Sequence, residues 1–123
     1  MRTVLVIEDE APLRANLVRI LSAEGYRVVT AADGDEGIAK VLEARPDLVI
    51  CDILMPKLDG YGVLAALRAR PETAGLPFIF LTASADKDDL ARGLQSGANE
   101  YVTKPFKIAD LLAAVRRRLP AGG

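Results

Sequence analysis

The chain contains no histidine and only one cysteine, Cys51. The first absence removes imidazole as a general base and as a zinc or copper ligand. The second rules out an intrachain disulfide and a cysteine zinc site, and it fits a reducing compartment. No apolar run is long enough to span a bilayer, and no signal-peptide pattern precedes the first apolar segment. An excess of one charge is missing too. The net charge is −1, so no global field draws the chain to nucleic acid or to an anionic membrane. The expectation is a cytoplasmic protein with no membrane contact and no direct nucleic-acid binding. What is present is 123 residues, 50% hydrophobic and 27% charged, the make-up of one soluble domain with one core.

Three short runs are almost wholly apolar: Val4 to Ile7, Leu48 to Cys51 and Phe78 to Leu81. Each is too short for a helix and rich in β-branched or aromatic residues, which suits strands covered on both faces of a parallel sheet. Weaker runs at Arg27 to Ala31 and Tyr101 to Thr103 predict outer strands. Helical spacing lies between them. Leu13, Leu17, Ile20 and Leu21 form one stripe, opened by Pro12 and closed by Gly25. Ile38, Val41 and Leu42 form a second, stopped by Pro46, and Val63, Leu64 and Leu67 a third. Leu90, Ala91 and Leu94 predict a fourth helix, with Asp86, Asp88 and Asp89 near its N-terminus. Ile108, Leu111, Leu112, Val115 and Leu119 make the fifth and most regular stripe. Strand and helix therefore alternate five times, which implies an α/β fold: a doubly wound parallel sheet with right-handed crossovers and helices on both faces. The closing Pro-Ala-Gly-Gly, residues 120–123, reads as a frayed tail or a truncated linker beyond a domain of residues 1–119.

Open α/β sheets bind ligands beyond the carboxyl ends of their strands. The first strand ends at Glu8-Asp9, the third at Asp52, the fourth at Thr82-Ala83, and the fifth is followed by Lys104-Pro105. Three carboxylates brought together must take up protons or share a cation. Oxygen ligands with room for water favour magnesium. Lys104 offers a fixed positive charge to a phosphoryl oxygen, Thr82 a hydroxyl, and the backbone near Ala83 further N–H groups. Such a set suits phosphoryl transfer, in which positioning and charge neutralisation do most of the catalysis. A carboxylate can itself be the nucleophile and form an aspartyl phosphate.

Four segments in order carry a family resemblance: Val6-Ile7-Glu8-Asp9-Glu10; Asp52-Ile53-Leu54-Met55-Pro56-Lys57-Leu58-Asp59-Gly60; Leu81-Thr82-Ala83; and Gly97 through Phe106, with Tyr101-Val102-Thr103-Lys104-Pro105-Phe106 at its end. Together they resemble the receiver domain of two-component response regulators, over essentially all of residues 1–119. The resemblance implies a flavodoxin-like (βα)5 three-layer sandwich with strand order 2-1-3-4-5. It implies that Asp52 is the phosphoacceptor. Mg2+ or Mn2+ would be held by Asp9, by Glu8 through water, by Asp52 and by the backbone carbonyl of Leu54. Lys104 would pair with the phosphoryl group, and Ala83 would leave room for it. Thr82 and Tyr101 would form the switch, Tyr101 turning inward as Thr82 moves. Pro105 would follow a cis peptide bond, while Pro56 and Gly60, with Met55 and Asp59, would shape the loop. The implied partners are a histidine kinase or histidine phosphotransfer protein and a downstream effector. A homodimer through the fourth helix, fifth strand and fifth helix is a further implied partner.

Departures from the pattern are small. Glu8 stands where many relatives have Asp. Leu54 is apolar and Ser84 small and uncharged, at positions that tune loss of the phosphoryl group, and Leu54 is expected to shield an acyl phosphate partly from water. Taken singly, the residues have plainer readings. Asp52 alone would be a turn residue or helix cap, Glu8 and Asp9 a solvated turn, Thr82 a strand-end cap and Lys104 a surface lysine. Cys51 reads as a small buried hydrophobe facing away from Asp52, and Arg116-Arg117-Arg118 as a solvated helix end favoured by the dipole. Other functions fit less well. An aspartyl-phosphate phosphatase needs Asp-x-Asp after the first strand, where this chain has Asp9-Glu10-Ala11. A flavodoxin-type cofactor site needs a Ser-, Thr- or Gly-rich phosphate loop there. The alternative that stays open is a receiver-like interaction module that works without phosphorylation.

Overall fold

The structure is a computed structural model and describes residues 1–83, 91, 95 and 97–119. Its strands are β1 (Thr3–Ile7), β2 (Arg27–Ala31), β3 (Leu48–Asp52), β4 (Phe78–Thr82) and β5 (Glu100–Thr103). They form one five-stranded sheet in the order β2-β1-β3-β4-β5, and every neighbouring pair is parallel. The helices are α1 (Ala11–Ala23), α2 (Gly34–Ala44), α3 (Gly60–Arg68) and a last helix, Ile108–Arg118. The fourth helix predicted from sequence falls on residues 84–96, most of which lie outside the described residues, as do Ser84 and the tail at 120–123.

Period-two alternation of side chains divides the core between the two faces of the sheet. Val4, Val6, Leu48, Ile50, Ile79 and Leu81 face α1 and the last helix, packing on Leu17, Leu21, Leu111 and Val115. Leu5, Ile7, Val49, Cys51, Phe78 and Phe80 face α2 and α3, packing on Val41, Val63, Leu64 and Leu67. The result is the three-layer, flavodoxin-like arrangement, with β1, β3 and β4 buried along almost their whole length because both faces are covered.

Two helices start on side-chain caps: Asp33 accepts from the Glu36 N–H at 2.8 Å and Asp59 from the Gly62 N–H at 2.9 Å. At the edge of the sheet where β4 and β5 begin, the Arg68 guanidinium donates to Leu76 O at 2.7 Å and to Gly97 O at 2.9 Å. There, too, the Asn99 side chain accepts from the Phe78 N–H at 2.8 Å, and the Asn99 N–H donates to Phe78 O at 2.9 Å. These contacts tie the starts of β4 and β5 to each other and to the end of α3.

Candidate functional site

The parallel ladders carry the polar residues to one edge. Strand β3 continues one residue past its apolar run, with Asp52 paired in register with Leu81. β4 likewise ends on Thr82, in register with Thr103. The Lys104 N–H then donates to Thr82 O at 2.7 Å, which fixes the lysine backbone against the end of β4. From there its side chain crosses the strand ends. Lys104 Nζ lies 2.6 Å from Asp52 Oδ2 and 3.2 Å from Glu8 Oε1. The peptide bond between Lys104 and Pro105 is cis.

Both acids are buried: Glu8 has no exposed surface and Asp52 is 3% exposed. Burial is the main cause that lifts the Glu8 carboxyl from 4.5 to about 7; a backbone hydrogen bond from Glu10 works the other way, and the charge of Asp52 and a hydrogen bond with Asp9 add to the rise. Partial burial disfavours the Lys104 ammonium, but the hydrogen bond and charge of Asp52, with Glu8, outweigh it and raise the lysine above its usual range.

Carboxylate oxygens of Glu8, Glu10 and Asp52 all come within 4.8 Å of one another. Glu10 was not singled out in the sequence, and its place has a simple origin. The chain bends at Asp9, past the end of β1, so Asp9 is exposed and outside this group while Glu10 comes back toward Glu8. The Glu10 N–H donates to Glu8 Oε2 at 3.0 Å, which closes the turn. A set of oxygen donors around buried like charges, with one lysine for compensation, fits a hard divalent cation such as Mg2+.

The β3–α3 loop is built round Asp52. The Leu54 N–H donates to Asp52 Oδ1 at 3.2 Å, and the Gly60 N–H donates to Ile53 O at 2.9 Å. A Cβ on Gly60 would sit 2.7 Å from Asp52 O and 2.8 Å from Ile53 Cα, so a glycine is required by close backbone approach. Pro56 is exposed in the same loop. Leu54, the expected shield of an acyl phosphate, meets Asp52 here through its main chain. Its backbone N–H, not its side chain, turns to Asp52, and the side chain is 72% exposed.

Thr82 is buried and Ala83 beside it is exposed. Tyr101 is 38% exposed and lines an open cavity of about 370 Å³ with Phe106, Lys107, Asp110 and Arg117. It stands partly exposed on β5, and the inward turn implied by the resemblance belongs to the state in which Thr82 has moved. Cys51 is buried on the face of α2 and α3, as an adjacent position to Asp52 requires. The basic end of the last helix is not merely solvated. Arg117 and Arg118 both donate to the Glu100 carboxylate, and Arg116 donates to Glu24 at 2.9 Å. Burial alone would raise Glu100, but the two arginines overcome it and hold the carboxyl below its usual range.

An open doubly wound sheet with acids and a lysine gathered at its carboxyl edge defines a ligand-binding α/β domain. Comparison narrows this: the family model for the response regulator receiver domain matches residues 4–116, and the chain belongs to that family. Among curated relatives, the "Probable transcriptional regulator ycf27" of Porphyridium aerugineum is 45% identical over 92% of this chain and 46% of its own length. The "DNA-binding response regulator MtrA" of Mycobacterium leprae is 41% identical over 94% of this chain and 50% of its own length. The chain thus spans about half the length of these relatives. Among solved structures, a putative response regulator from Chloroflexus aurantiacus J-10-fl superposes with a TM-score of 0.92 at 36% identity, covering 96% of this chain and 97% of its own. The chemotaxis protein CheY4 of Vibrio cholerae gives a TM-score of 0.90 at 33% identity, covering 95% and 98%. Among the described residues, no helix is long and apolar enough to cross a membrane.

Proposed function

We propose that this receiver domain is a phosphorylation-dependent switch of a two-component system, with Asp52 as acceptor. The observation that carries the reading is the Lys104 ammonium bound at once to Asp52 and Glu8, at 2.6 and 3.2 Å, in a nearly buried acidic edge. Asp52 attacks the phosphorus of a phosphohistidine on a histidine kinase or phosphotransfer protein. An acyl phosphate bond forms, the P–N bond breaks, and the donor imidazole leaves. The donor histidine lies outside these 123 residues, which contain none. Water later hydrolyses the acyl phosphate and restores Asp52.

Glu8, Asp9, Glu10, Asp52 and the carbonyl of Leu54 would hold Mg2+ or Mn2+, which supplies charge neutralisation when bound. Lys104 keeps a positive charge beside the transferred group, and the small side chain of Ala83 leaves space there. Thr82 and Tyr101 transmit the change to the surface of β5 and the last helix, where an effector or a second copy binds. The protein works in the cytoplasm, and residues 1–119 are the switching unit. Any link to DNA, as in the name of its mycobacterial relative, runs through an effector domain or protein outside residues 1–119.

Incubation with Mg2+ and acetyl phosphate followed by intact mass measurement tests the reading. One labile phosphate is expected, absent from Asp52→Asn and absent without metal. Failure to form any adduct, and failure of beryllofluoride to shift the amide spectrum, would replace this reading with that of an interaction module that needs no phosphorylation.

A further inference from the structure

The acidic turn that follows β1 is held from the helix side by a residue that has not yet been given a role. Helix α1 has no side-chain cap at Glu10 and no acidic residue in its first turn, so its N-terminus does little to organise the turn. Three contacts do so instead. The Glu8 N–H donates to Ala31 O at 3.0 Å, the Glu10 N–H donates to Glu8 Oε2 at 3.0 Å, and Arg14 Nη1 donates to Glu8 O at 2.8 Å. Arg14 is half-buried, one turn into α1, and the oxygen it binds is a peptide carbonyl and not a carboxylate.

The three contacts differ in what they demand of Glu8. The Glu10 bond uses a carboxylate oxygen of the very group offered to a cation, so cation and turn compete for it. The Arg14 bond uses only the main chain and survives whatever the carboxylate does. A charge-assisted bond of this kind is also stronger than a neutral one. We propose that Arg14 is a positioning residue for the divalent cation: it fixes the Glu8 peptide, so the Glu8-Asp9-Glu10 turn keeps its shape when the Glu8 carboxylate is drawn to the ion. This rests on the metal-dependent reading of Asp52 given above.

The idea has a signed consequence. A guanidinium that acted only as a nearby positive charge would oppose a cation, and its removal would tighten binding. Anchoring predicts the reverse. Amide shifts followed during Mg2+ titration should show Arg14→Met binding about threefold to tenfold more weakly than the natural chain, the loss expected from one hydrogen bond of ordinary net strength. Arg14→Lys, which keeps the charge and one donor, should recover part of it. Arg19→Met, which removes an exposed charge from the same helix, should bind normally. Without metal, the Asp9 and Glu10 amides of Arg14→Met should exchange hydrogen faster while those of β1 stay protected, which separates a loosened turn from a damaged fold. Equal or tighter Mg2+ binding by Arg14→Met overturns the proposal and leaves the metal site intact. Absence of Mg2+ binding by the natural chain overturns the reading of the site, and the proposal with it.

Discussion

Lys104 Nζ and Asp52 Oδ2 stand 2.6 Å apart, and the same ammonium reaches Glu8 at 3.2 Å. One cation thus serves two buried acids, with a carboxylate oxygen of Glu10 within 4.8 Å of both. Lys104→Met removes that compensation. The metal-free protein should lose about 1–3 kcal/mol, the scale of leaving a buried polar group without its partner. Urea unfolding at pH 8 would show it, and saturating Mg2+ should return most of the loss by supplying charge in the lysine's place.

Glu8 gives the domain a pH dependence with a defined sign. Its carboxyl is raised from 4.5 to about 7, chiefly by burial, so between those values the folded chain binds more protons than the unfolded one. Its contribution to stability is complete below 4.5 and is lost as the pH rises through about 7. Metal-free stability should therefore decline across that window. Glu8→Gln, with nothing to ionise, should flatten the slope. Affinity for Mg2+ should rise over the same window, since the ion displaces a proton. Unfolding series at several pH values, with and without metal, measure both effects.

Gly60→Ala tests the loop beneath the acceptor. The new Cβ would lie 2.7 Å from Asp52 O and 2.8 Å from Ile53 Cα, both backbone atoms that no rotamer change can move aside. Overpacking of this kind costs about 1–3 kcal/mol. Thermal unfolding should register it, and phosphorylation by acetyl phosphate should slow because the strain falls on the Asp52 peptide.

Thr82→Ala separates chemistry from readout. Thr82 lies at the end of β4, in register with Thr103 and bonded through its carbonyl to the Lys104 N–H. The substitution keeps that backbone bond and removes the hydroxyl together with the methyl beside it. Asp52 should still take up one phosphate, whereas the beryllofluoride-induced amide shifts around Tyr101 should shrink. Full-sized shifts at Tyr101 would remove Thr82 from the switch.

The three central strands could be read from the chain because burial on both faces leaves an unbroken apolar run, as in Val4 to Ile7 and Phe78 to Leu81. The outer strands gave weaker patterns for the complementary reason: Arg27 and Tyr101 meet solvent. Strand ends were legible at Asp52 and Thr82, where the ladder runs one residue past the apolar run, whereas β5 starts one residue earlier than expected, at Glu100. Lys104, Glu8 and Asp52 were legible because each directly follows or ends a strand. Glu10 and Arg14 were not. Their part depends on how the chain turns between β1 and α1, and no spacing rule for strands or helices describes that turn. Arg68 was missed likewise, because its acceptors are main-chain oxygens that leave no trace in side-chain pattern.

That last clamp has a mechanical consequence. Arg68 and Asn99 pin β4 and β5 where they begin, near Leu76, Phe78 and Gly97, at the edge remote from Asp52. Two parallel strands held at one end respond as cantilevers: a push at the free end produces its largest displacement there and almost none at the root. Thr82 and Thr103 lie at the ends opposite that root, in register with each other. A small change of charge at Asp52 is therefore expected to displace Thr82 and Thr103 more than Tyr101, which lies one residue from the start of β5.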